Sequence, residues 1–146
     1  MTTTANPADE RVGQLIDLTQ RLTDMIATET RAFEARRPQD VAATIGETSR
    51  LANIYRLESA RLKQDPSVLE TASLTSRVGL IRSTEAFDSV LARHGRALDA
   101  ARTITEGLVH AIAMEVAAQR AKPIGYNSQA RAAAGDASAV TLNRRA

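Results

Sequence analysis

The chain has 146 residues, of which 43% are hydrophobic but only 3% aromatic, with a formal net charge of +2 and no cysteine. Such a length suits one compact domain, and its core must come from Leu, Ile, Val and Ala, which favours helices packed side by side over sheets. The lack of cysteine excludes disulfides, thiolate metal sites and cysteine nucleophiles. The opening Met-Thr-Thr-Thr-Ala-Asn-Pro has neither the basic run nor the apolar core of a secretory signal. No apolar stretch approaches the ~20 residues of a membrane span, so no stable membrane insertion is expected.

Residues 1–8 are small and polar, contain Pro7, and are expected to be a flexible N-terminus. From about Asp9 apolar residues recur every three or four positions: Val12, Leu15, Leu18, Leu22 and Met25, continued by Glu29 and Phe33, with Ile16 and Ile26 widening the stripe. That spacing predicts a first helix over about 9–36. Asp9 and Glu10 suit its positive end and Arg36 and Arg37 its negative end, and Pro38 stops it. A second helix is expected over about 40–64, with Asp40 either capping it or in its first turn and a seam of Val41, Ile45, Thr48, Ala52, Tyr55, Ser59 and Leu62. The short link makes these two helices antiparallel neighbours.

Residues 66–73 read as either a turn or a helical lead-in. A third helix is then expected over about 72–121, through Leu74, Val78, Ile81, Phe87, Leu91, Leu98, Ile104, Leu108, Ile112 and Val116. Gly79, Gly95 and Gly107 lie inside it and weaken it by roughly 1 kcal/mol each relative to Ala. Its length is nearly twice that of either earlier helix, so part of its apolar stripe is left over for self-association, folding back or a partner helix.

Pro123, Gly125, Gly135 and many small polar residues mark 123–146 as a flexible tail. Of the 19 basic and 17 acidic side chains, 14 and 16 lie in residues 1–117; the tail region carries Arg120, Lys122, Arg131, Arg144 and Arg145 against Asp136 alone. A basic arm of this kind either meets an acidic surface, nucleic acid or membrane, or stays solvated. Tyr126, a lone aromatic in that arm, is either a docking anchor or folds back onto the bundle. The predicted fold class is all-α: an antiparallel three-helix bundle or coiled coil (9–122) with a long third helix and a flexible tail.

Little in the chain suggests catalysis. His94 and His110 are too far apart to share a metal locally, and Glu106 with His110 misses the Glu-x-x-His spacing of a di-iron bundle by one residue. No phosphate loop, dinucleotide motif or Ser-His-acid signature stands out. Asp17 with Arg21 and Asp99 with Arg102 read as surface pairs. The acidic, aromatic-poor body argues against nucleic-acid binding. The expectation is a protein that is not an enzyme, carries no cofactor or metal, and works by binding another protein.

Four pieces in order give the chain a family resemblance: Leu15-Ile16-Asp17-Leu18 leading to Thr28-Glu29-Thr30-Arg31-Ala32-Phe33; the break Arg36-Arg37-Pro38-Gln39-Asp40 followed by Glu47 to Tyr55; Gly107-Leu108-Val109-His110-Ala111-Ile112-Ala113; and the tail with Gly125-Tyr126 and Val140 to Arg145. Through these the chain resembles the FlgN-type flagellar type III export chaperones, particularly alphaproteobacterial members. Thr48 and Ser49 after Glu47 depart from the lysine often found there in the family. The resemblance implies a cytoplasmic, helical chaperone that holds hook–filament junction proteins by an amphipathic C-terminal segment and delivers them to the cytoplasmic domain of the flagellar export gate. By that analogy residues 96–120 face cargo, with Leu98, Ala101, Ile104, Thr105, Leu108 and Ile112 lining the surface, and Tyr126 contacts the export gate. The rival expectation is a structural or secreted coiled-coil subunit of a surface appendage.

Overall fold

A computed structural model describes residues 4–127, with side chains described as far as residue 122. Four helices follow one another: α1 (Pro7–Glu34), α2 (Ile45–Gln64), the five-residue α3 (Ser67–Thr71) and α4 (Leu74–Asn127), with a 3-10 turn at Pro38–Val41 between α1 and α2. No strand occurs among the described residues, so the chain is all-α as expected. It divides into two units, Met1–Arg102 and Thr103–Ala146.

Within the first unit α1 is the central helix. Pro7 occupies its first turn, where a missing N–H costs nothing, and the Asn6 side chain accepts a hydrogen bond from the Ala8 N–H. The start at Pro7 corrects the expectation of a loose segment through residue 8. Asn6 Nδ2 also donates to the Thr71 carbonyl at 2.9 Å, and Ala8 is buried against Val12, Val68 and Ala72.

The other end of α1 stops two residues before the expected Arg36. The Arg37 N–H reaches the Ala32 carbonyl at 2.8 Å and the Arg36 N–H reaches the Phe33 carbonyl at 3.0 Å, the paired bonds of a Schellman cap. Arg36 sits there at φ 59°, a left-handed position that glycine usually fills. Pro38 then begins the 3-10 turn, whose Val41 is buried. Residues 40–44 therefore belong to this turn and its link, and α2 starts at Ile45, five residues later than its hydrophobic period suggests.

Two apolar clusters hold the unit together. One contains Ala8, Val12, Val68 and Ala72, flanked by Ile16, Leu62, Leu69 and Leu80. The other contains Leu22, Ile26, Leu51 and Phe87, flanked by Leu18, Met25, Tyr55 and Val90, with the Tyr55 and Phe87 rings 4.9 Å apart. Polar residues share this seam. Thr19 and Thr30 are almost wholly buried, each hydroxyl donating at 2.7 Å to the carbonyl four residues back, and buried Glu29 accepts from Thr48 at 2.6 Å and Thr44 at 3.1 Å. Satisfying these groups internally avoids the cost of an unpaired buried dipole.

The contacts also fix direction. Glu29 meets Thr44 and Thr48, Leu22 clusters with Leu51, and Leu62 packs against the cluster of Ala8 and Val12, so α2 runs antiparallel to α1, with Arg21 meeting Glu47 at 3.1 Å. Arg21 thus pairs across helices with Glu47 rather than along its own helix with Asp17. Asp9 accepts from the Ser73 N–H at 2.7 Å, Gly79 lies against Ile16, and Thr30 meets His94, so this part of α4 runs parallel to α1. The ambiguous stretch 66–73 resolves into α3, begun at Pro66, and an extended Ala72. Ser73 then opens α4 by accepting the Ser76 N–H. At its far end α4 continues past the expected residue 121 and through Pro123 to Asn127.

Candidate protein-binding surface

Along its first part α4 is matched to α1. Asp9 matches Ser73 and Thr30 matches His94, each a separation of 64 residues. Glu34, the last residue of α1, clasps Arg93 through two bonds of 2.7 Å. Ala97 is the last buried residue of the described chain, and every residue from Arg102 to Lys122 is exposed.

That exposed stretch is not polar. In the second unit Ile104, Leu108, Val109, Ile112, Met114 and Val116 are all exposed, Leu108 at 60% and Ile112 at 54%. Steps of four place Ile104, Leu108, Ile112 and Val116 along one side of the helix, with Val109 beside them. Of the six residues expected to face a partner, Ile104, Thr105, Leu108 and Ile112 lie exposed in this unit. In the first unit Leu98 is 41% exposed and Ala101 half-buried. Val109 and Val116 were missed as surface candidates, although their helical positions adjoin those of Leu108 and Ile112. Tyr126 belongs to the last turn of α4, and its side chain lies outside the described residues, as does the chain from residue 128.

A scattered apolar side chain needs no explanation, but a contiguous apolar stripe is a feature of interaction sites. Burying it against a complementary helix would return about 25 cal/mol for each Å² removed from water. Such a surface recognises by shape and apolar burial.

The electrostatics of the described chain are those of surface pairs and caps. Arg93 holds the Glu34 carboxyl below its ordinary value, and Arg50, hydrogen-bonded to Glu47, does the same there with a further contribution from Arg21. The Ser73 N–H lowers Asp9. His94 is more integrated than a surface histidine: its Nδ1 lies 2.9 Å from Thr30 Oγ1 and its ring meets Phe33 edge-on. Because the Thr30 hydroxyl already donates to Ile26, its oxygen accepts from His94 Nδ1–H. Among the described residues no group of three or more His, Asp or Glu could hold a metal ion, and no helix is long and apolar enough to cross a membrane.

Comparison with known proteins identifies the family. The chain is 50% identical to the flagellar basal-body protein FlbY of Caulobacter vibrioides, over an alignment of 149 residues that spans 100% of each chain. The chain belongs to the FlbY family. Flagellar involvement, expected from the sequence, is thereby supported for this FlbY-family protein. No family model matches the chain, and no solved structure matches it.

Proposed function

We propose that this FlbY-family protein is a cytoplasmic flagellar export chaperone that binds hook–filament junction proteins. The observation carrying the reading is the row of five large apolar side chains exposed on one side of the helix, Ile104, Leu108, Val109, Ile112 and Val116. A cargo's amphipathic C-terminal segment packs as a helix along that row, driven by apolar burial, with charged neighbours setting register. The flagellar relative supplies the setting. The chaperone then delivers its cargo to the cytoplasmic domain of the export gate, with Tyr126 as the contact; no step requires catalysis or a cofactor.

Co-purification of the full chain with C-terminal fragments of hook–filament junction proteins tests the reading. Wild type should retain a fragment, and Leu108→Asp should lose it while keeping its helical circular dichroism, since Leu108 is 60% exposed. Equal capture by the folded variant would refute the cargo surface. Separately, Tyr126→Ala leaving export-gate binding unchanged would remove that assignment.

A second reading has its own support, because the relative is described as a basal-body protein. In it the same apolar row joins copies of the chain into a structural subunit. Sedimentation separates the two: a chaperone stays small and forms a defined heterocomplex, whereas a structural subunit assembles with itself.

A further inference from the structure

A second apolar surface lies in the first unit. Where α2 and α4 flank α1 they leave an open groove of about 630 Å³. Buried Leu15 of α1 lines it together with the half-buried Tyr55 and Leu62 of α2, Leu80 of α4 and Leu69 of α3. Its charge is one-sided. Arg56 and Lys63 are both exposed and both line it, and no carboxylate does. Neither cation makes an ion pair among the described residues, whereas Arg21, Arg50 and Arg61 are each matched to a glutamate.

We infer that this groove docks an amphipathic helix of a partner protein bearing carboxylates about two turns apart. The spacing of the cations carries the choice of occupant. Seven residues on one helix place Arg56 and Lys63 on the same face, about 10 Å apart along the axis. A second helix alongside α2 would present carboxylates at the same interval while its apolar residues cover Leu62, Leu69 and Leu80. A single anionic headgroup would occupy one cation and leave the other idle. The occupant completes a fourth side for the three helices, the helix-in-groove arrangement with its ends fixed by charge. This surface shares no residue with the proposed cargo row.

The probe is a pair of fluorescent helical peptides of about 18 residues, sharing one Leu/Ala face and differing only in Glu or Lys at two positions seven apart. Anisotropy titrations use the full-length chain. The Glu peptide should bind about tenfold more tightly than the Lys peptide, and Arg56→Glu with Lys63→Glu should reverse that order. Ala60→Trp, at an exposed position in the groove wall, should abolish binding of both by filling the slot, while Leu108→Asp should leave both unchanged. Circular dichroism verifies that each variant is folded. Equal affinity for the two peptides, no binding of either, or binding lost only in Leu108→Asp would each overturn the proposal. So would sedimentation with phosphatidylglycerol vesicles that depends on Arg56 and Lys63 while neither peptide binds.

Discussion

Residues 7–101 and residues 103–122 are built from much the same aliphatic side chains, yet only the first set buries them. Val12 and Leu22 are 1% exposed, whereas Leu108 is 60% exposed. The difference is not one of composition. In the first region the inward face of α1 meets α2, α3 and α4, although Leu57, Leu74 and Ile81 stay exposed; from Arg102 to Lys122 every residue is exposed among the described residues. An amphipathic pattern thus reports that a helix has something to cover, without saying whether the cover comes from its own chain.

The sharpest way to break this comparison is to shorten the same residue type in both regions. Leu22→Ala should cost about 3 kcal/mol by emptying space between Ile26, Leu51 and Phe87, while Leu108→Ala should change stability by less than about 0.5 kcal/mol. Urea unfolding of both variants checks this, and equal losses would mean residue 108 is structural. Next in size is Glu29→Ala, which removes the acceptor for Thr44 and Thr48 and should cost about 2 kcal/mol in the same assay.

Three backbone changes sharpen the contrast in the opposite direction. Arg36→Gly relieves the left-handed residue of the Schellman cap and should stabilise the packed region by about 1 kcal/mol, seen as a higher Tm. Gly107→Ala meets nothing within 4 Å and should gain about 0.5–1 kcal/mol of local helix stability, measured by amide exchange in residues 103–122. Gly79→Ala should gain less, because its new methyl would lie 3.2 Å from Ile16 Cδ1.

Acid is the mildest probe. Asp9 and Glu34 titrate below their ordinary values of 3.8 and 4.5, the first through the Ser73 N–H and the second through Arg93. A carboxyl depressed in the folded state contributes stability above its unfolded pKa and loses it as pH falls through the folded one. Tm should therefore decline on acidification below those ordinary values. Glu34→Gln should make the decline shallower; an unchanged slope would exclude the Arg93 pair from the acid response.

Much of the helical order was legible from spacing alone. Val12, Leu15, Leu22 and Ile26 announce α1, and Pro38 announces its end. The start of α2 was not, because Val41 in the 3-10 turn sits four residues before Ile45 and mimics an earlier turn of the same helix. A hydrophobic count also overlooks Thr19 and Thr30, whose hydroxyls bond to their own helix and so enter the core at little cost. The exposed row was anticipated from the excess length of the final helix. Its membership was legible only in part: Ile104, Leu108 and Ile112 were named but Val109 and Val116 were not, since all read as apolar and only contacts distinguish wall from surface. The groove beside Arg56 and Lys63 depends on residues from four helices and left no local signal.

The parallel course of α1 and α4 has a consequence for how the protein acquires its shape. Contacts from α1 to α2 and the residue that precedes it close loops of 15, 19 and 26 residues, while those from α1 to α4 close loops of 59 or 64. Chain entropy makes the larger closure dearer by about 1 kcal/mol. The N-terminal hairpin can therefore assemble while its third wall is still being synthesised, and that wall joins a partner already in place.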